Sequence, residues 1–123
     1  MVPHHARGAG IARRRITAAL TGALPTDLLV DAAAVAAELV GNAFRHAAPL
    51  PGDVIRVNWC LLDGGVEIRV TDGGAAVAPE LRVVDPEAIS GRGLAIVAAL
   101  AHRWGFEREG LGQCVWAELR SIG

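Results

Sequence analysis

The chain contains no lysine; all 12 of its basic residues are arginines. With no ε-amino group there is no Schiff-base chemistry and no P-loop lysine to hold phosphates, so a Walker-type nucleotidase is excluded. Tyrosine is also absent, and three Trp and two Phe make up all the aromatics, so the core has to be aliphatic, built from Ala, Val and Leu. Cysteine is scarce. Cys60 and Cys114 have no CxxC spacing and no clustered histidines, which argues against zinc and leaves two free thiols. No apolar run approaches the ~20 residues that span a bilayer. The opening MVPHHARGAG lacks the apolar segment of a secretory signal. The expected location is therefore cytoplasmic, with no membrane contact. A net charge of −1 gives no general argument for nucleic acid, and none is expected to bind directly. The charge is nonetheless uneven, because Arg7, Arg13, Arg14 and Arg15 all precede the first acid, Asp27. A solvated helix face explains such a cluster, and contact with an acidic partner is the alternative.

A length of 123 residues fits one domain. Residues 1–8 read as a loose terminus and residues 9–123 as a single folded unit. Residues 9–23 suit a short helix with Ile11, Ile16 and Leu20 on its apolar side. Residues 27–47 read as one long helix, capped by Thr26 or Asp27 and ended by Pro49, Pro51 and Gly52. The period then changes to two. Residues 54–62 place Ile55, Val57, Trp59 and Leu61 on one face, and Asp63, Gly64 and Gly65 signal a hairpin turn. Residues 66–72 alternate strictly, so Val66, Ile68, Val70 and Asp72 share a face, and Glu67, Arg69 and Thr71 share the other. That parity sends a carboxylate inward at the end of an apolar row. Residues 73–91 have no period and read as a binding loop or lid. Residues 92–103 suggest a third helix, and the remainder a final hairpin turning at residues 110–112. The expected class is α+β: a two-layer sandwich with three helices on one face of a mixed, mostly antiparallel sheet.

Three features in this order could carry chemistry. The stretch ELVGNAFRHA sets Glu38, Asn42 and His46 at four-residue intervals on an otherwise apolar helix, along roughly one face. Polar groups buried there cost free energy unless they are partnered. A carboxylate such as Glu38 can orient or deprotonate a hydroxyl. An amide oxygen such as that of Asn42 can ligate Mg²⁺, which prefers oxygen donors. His46, near a helix C-terminus, also has a purely electrostatic explanation in the helix dipole. Asp72, followed by Gly73 and Gly74, can accept a hydrogen bond from an exocyclic amine or simply cap a turn. Gly91 and Gly93 would expose backbone N–H groups to phosphate at the start of the third helix.

Together these motifs resemble the GHKL ATP-binding (Bergerat) fold shared by gyrase, histidine kinases and MutL. ELVGNAFRHA resembles its N box, VTDGG its first glycine box and GRGLAIV its second. The ending VWAEL, with the upstream RWG, is similar to the single-domain, RsbW-like branch of anti-sigma-factor serine kinases. The resemblance implies that ATP and Mg²⁺ are the cofactors. It further implies that Glu38 is the catalytic carboxylate that serves as general base or polarises the attacking hydroxyl, and that Asn42 is the metal ligand. Asp72 would recognise the adenine amine, with Gly74 admitting the base. Gly91, Gly93 and Leu94 would lie where the phosphates meet the third helix, and Arg45 and His46 would extend the N box toward them. The implied activity is transfer of a phosphoryl group to serine or threonine on a small antagonist protein. The implied partners are a sigma factor, an anti-anti-sigma protein or both; the N-terminal helix and the exposed sheet face are the two surfaces through which a homodimer could form. The alternative is a partner-binding module with weak or no ATP turnover. Two departures bear on that choice. Ala76 replaces the second glycine of the first glycine box, and Gln113 and Cys114 stand where many relatives carry a threonine. Parity with Val115, Ala117 and Leu119 favours Gln113 as the inward residue.

Overall fold

In the computed structural model, residues 1–74, 94–110 and 112–121 are described. Helix α1 (Gly8–Leu20) buries Gly8, Ala12, Ile16 and Leu20, one residue per turn on a single stripe. Arg13, Arg14 and Arg15 lie on its exposed side. Helix α2 (Thr26–His46) is rich in alanine and buries nine residues from Leu28 to Ala43 almost all round its axis. It can do so because α1 packs along it on one side and the sheet on another. Its N-cap is Pro25 and no side chain caps it, so the expected caps Thr26 and Asp27 are instead the first helical residues. Asp27 still opposes the positive end of the helix dipole. The helix ends at Ala47, which is extended at φ −136°, ψ 160°. Ala48 precedes Pro49, and a residue before proline is disfavoured in helical conformation.

The five strands are β1 (Val2–Pro3), β2 (Val54–Leu62), β3 (Gly65–Asp72), β4 (Arg103–Glu109) and β5 (Gly112–Arg120). They form one open sheet in the order β1-β2-β3-β5-β4, with every pairing antiparallel. The α+β sandwich is thus as expected, with three helices among the described residues. Ile55, Val66, Ile68, Val70, Ala117 and Leu119 form the sheet's share of a core completed by α1, α2 and α3 (Ala95–Leu100).

Three local expectations need correction. Residues 1–8 are not a loose terminus. Val2 pairs with Ile55 and is 2% exposed, and the His4 N–H donates to the Asp53 carbonyl at 2.8 Å. The sequence around Val2 is too short to show a period, so only the neighbouring edge of β2 explains its order. The third helix does not continue to residue 103. Ala101 is extended, and the His102 N–H donates to the Glu118 carbonyl at 2.7 Å, so pairing with β5 takes over there. Finally, Leu61 is 52% exposed although it shares a parity with buried Ile55, while its partner Val66 on the central strand is fully buried.

The face of the sheet away from the helices carries alternating charge. Arg56 and Glu109 pair at 2.9 Å, Arg69 bridges Glu67 at 3.6 Å and Glu107 at 2.5 Å, and Glu118 takes Arg120 at 2.6 Å. Beneath these side chains lies Cys114, buried opposite Thr71 and Glu107, and burial raises its thiol pKa. The Thr71 hydroxyl donates to Glu109 at 2.9 Å, and this bond, helped by Arg56, holds the Glu109 carboxyl below its ordinary value of 4.5. A depressed carboxyl pKa contributes stability above the ordinary value, and that contribution is lost as pH falls through the folded one. Thr71→Val is therefore expected to lower Tm at pH 7, with the gap to wild type narrowing by pH 3. Exposure of Glu109 keeps the effect small. A gap independent of pH in thermal melts would assign the loss to packing instead.

Candidate functional site

The C-terminal half of α2 crosses the end of β3, the central strand of the sheet. Leu39, Asn42 and Ala43 of this segment, with the extended C-cap Ala47, face Val70 and Asp72 across a small pocket. Phe106 of β4, Val115 of β5 and Leu94, the N-cap of α3, complete the described lining. The space between them is about 20 Å³, room for roughly one water.

Asp72 is 3% exposed, as the alternation of β3 requires. Its Oδ1 accepts the Gly74 N–H at 2.7 Å, which turns the chain back just past the strand. Gly74 sits at φ +88°, a conformation that favours glycine. The preceding Gly73 has a different reason to be glycine, since a Cβ there would lie 2.3 Å from the Pro49 carbonyl oxygen. This close approach lets the Gly73 N–H donate to Ala48 and the Ala48 N–H donate to Gly74, both at 2.8 Å. The glycine box is thereby laced to the chain leaving α2. A second tie comes from the N-terminus, where His4 Nε2–H donates to the Ala47 carbonyl at 2.9 Å and the ring meets Phe44 edge-on.

Two buried oxygens nearby have no hydrogen-bond partner: Oδ1 of Asn42 and Oε1 of Gln113. An acceptor left unpaired inside a protein costs about 1–3 kcal/mol. Asn42 carries this cost on the wall of the pocket. Gln113 carries it directly across from Asp72 in the β3–β5 register.

The candidate residues from the sequence thus separate into groups. Asn42, Asp72 and Leu94 meet at one pocket, and Gly74 joins them through its bond to Asp72. Glu38 is half-buried one turn before Asn42 and is not among the lining residues. Arg45 is exposed and folds back along the helix, its Nη1 3.0 Å from where a Gly41 Cβ would be. His46 is exposed at the end of α2. Gly91, Gly93 and Ala76, with the rest of the expected lid, lie outside the described residues. Among those residues no group of three or more His, Cys, Asp or Glu could hold a metal ion by itself. None of their helices is long and apolar enough to cross a membrane.

Sequence reasoning passed over Phe106, Val115 and the tie from His4. The alternation in residues 104–109 was the available signal for Phe106, which shares a face with Trp104 and stacks edge-on with it at 5.9 Å. No local signal marked His4.

Comparison with known proteins adds two findings. A family model described as the histidine kinase-like ATPase domain matches residues 3–119. The chain is also 34% identical over 106 residues to an adenine phosphoribosyltransferase of Clavibacter michiganensis subsp. michiganensis (strain NCPPB 382) and, to the same degree, to one of Clavibacter sepedonicus. The match takes in 85% of this chain, and 59% and 54% of those two proteins, so the chain spans little more than half the length of these relatives.

Proposed function

The chain belongs to the histidine kinase-like ATPase domain family, and we propose that this ATP-binding domain is a regulatory protein serine/threonine kinase of the anti-sigma-factor type. The observation that carries the reading is the pairing of a buried carboxylate, Asp72, with a buried, unpartnered amide oxygen, Asn42 Oδ1, on two walls of one pocket. Asp72 accepts a hydrogen bond from the exocyclic amine of adenine. The Gly74 N–H, by holding Oδ1, fixes the carboxylate's orientation before the base arrives.

The unpartnered Asn42 oxygen fits a Mg²⁺ site. It is a hard oxygen donor, buried and unpaired, and Mg²⁺ held by few protein oxygens would complete its shell with phosphate and water oxygens. When bound, the ion would neutralise charge on the triphosphate. In this reading Glu38, one helical turn before Asn42, serves the terminal phosphate. There it accepts the proton of a serine or threonine hydroxyl as that oxygen attacks the γ-phosphorus and the β–γ bridging bond breaks, leaving ADP. Phosphoryl transfer depends mainly on positioning and charge stabilisation, so a small domain suffices when its partner brings the acceptor. That partner would be a small antagonist protein, with a sigma factor as the second protein held and a homodimer as the working assembly.

A second reading is a partner-binding module in which nucleotide is held but not turned over. Ala76 in the first glycine box favours it. The two readings separate in one experiment with labelled ATP, Mg²⁺ and candidate antagonist proteins. The kinase reading expects wild type to label the antagonist, and Glu38→Ala to keep ATP binding while losing at least about 100-fold in transfer, as removal of a general base does. Equal transfer by Glu38→Ala removes that residue from the mechanism, and binding without transfer by wild type selects the module. Incubation with adenine and phosphoribosyl pyrophosphate is expected to yield no AMP. Its formation would favour the activity named for the two Clavibacter relatives.

A further inference from the structure

The geometry points to Gln113 as a second acceptor for the amine of the base, and so as the residue that sets this site's preference for a 6-amino over a 6-oxo purine. The inference rests on the ATP-binding reading above and concerns which base that same site selects. Gln113 is directly opposite Asp72 in the antiparallel β3–β5 pair. Directly opposed residues project from the same face, with Cβ atoms about 5 Å apart. That face is the one toward the helices, because Val115, two residues further along β5, lines the pocket with Asp72. Gln113 is 8% exposed, and its Oε1 is buried without a partner.

An orphaned acceptor beside a carboxylate calls for a donor that can serve both. A carboxylate and a carboxamide oxygen a strand's width apart match the two N–H bonds of an aryl amine, one directed to each. An oxo group in the same place offers no N–H to either. It would bring a third oxygen against two acceptors and leave Gln113 as unsatisfied as it is without ligand. A site whose buried polar groups are completed by a substrate's N–H rejects the analogue that lacks it. Asn42 Oδ1, the other orphan, projects from the helix wall rather than from the strand beside Asp72, so the two amides have different tasks. The neighbouring Cys114 cannot substitute for Gln113, because it pairs with Thr71 and lies on the opposite face of the sheet.

The test compares ATP with inosine triphosphate, which has the same ribose and triphosphate but an oxo group for the amine. Calorimetric titrations with Mg²⁺ present would use wild type, Gln113→Met and Gln113→Glu. Methionine keeps the length but removes the whole carboxamide, acceptor and NH₂ alike, so a melt without nucleotide checks that the fold is unchanged. Glutamate keeps an acceptor oxygen in place. The expected result is that Gln113→Met binds ATP about tenfold more weakly, the loss of about one hydrogen bond. Its affinity for inosine triphosphate is expected to stay within about twofold of wild type, and Gln113→Glu to retain the preference for ATP. Equal losses for both nucleotides would make Gln113 a structural residue, and an unchanged ATP affinity would remove it from the site; either overturns the inference while the ATP reading stands. A wild type that binds neither nucleotide overturns the ATP reading itself.

Discussion

Asp72→Asn is expected to bind ATP about 100-fold more weakly than wild type, the upper range for losing a charge-assisted hydrogen bond in a buried site. The substitution is nearly isosteric, and asparagine Oδ1 can still accept the Gly74 N–H that wild type bonds at 2.7 Å. The strand end and its turn should therefore survive, which a melt without nucleotide checks. What disappears is the charge and one acceptor oxygen, replaced by an NH₂ that faces the amine of the base donor to donor. Thermal stability gives the readout. At a nucleotide concentration 100 times the wild-type Kd, ligand binding stabilises the folded state by about 2.7 kcal/mol, whereas a 100-fold weaker variant gains only about 0.4 kcal/mol. A melt with and without Mg-ATP distinguishes these easily. An undiminished shift in Asp72→Asn would mean that ATP binds elsewhere or is read by other groups.

Gly73→Ala is expected to destabilise the fold by about 3 kcal/mol, in the range of severe backbone clashes. The new Cβ would sit 2.3 Å from the Pro49 carbonyl oxygen. Because that neighbour is backbone, no side-chain rotation relieves the clash. Separating the two segments breaks the reciprocal 2.8 Å bonds between Ala48 and the glycine box, and two lost hydrogen bonds alone account for about 2 kcal/mol. Gly22 is the control. It has a positive φ of +87° and nothing within 4 Å of an added Cβ, so Gly22→Ala should cost only the conformational penalty of about 1 kcal/mol. Chemical denaturation of both variants gives the comparison. Equal costs would show that backbone conformation, not the contact with Pro49, makes glycine necessary at residue 73.

These two residues also show what could be read in advance. Asp72 was legible because β3 alternates without interruption from Val66, and a period of two leaves only one face for the last residue. Gly73 was legible as a glycine next to a possible ligand, but its reason was not. It faces Pro49, which the chain brings there only after α2 has packed across the sheet. The two long helices were legible from their apolar stripes and their proline stops. The third was misjudged at its far end because residues 101–103 are compatible with helix locally, and the edge of β5 outcompetes it. The terminus before α1 was misjudged for the same reason, since two residues cannot display a period but can complete a sheet edge.

The sequence by itself determined the class of fold, the inward direction of Asp72 and the row of Glu38, Asn42 and His46 along one helix, because periodicity and spacing along a regular element fix direction without reference to anything distant. Only the tertiary structure decided which members of that row reach the pocket. It places Asn42 on the wall, leaves Glu38 half-buried one turn away and leaves His46 exposed at the helix end. It also decided that Gln113 stands beside Asp72 and that Phe106 and Leu94 line the pocket Asp72 shares with Asn42. Those placements depend on strand register and on the angle at which α2 crosses the sheet. Both are settled by packing among segments far apart in the chain, for which no local pattern carries a signal.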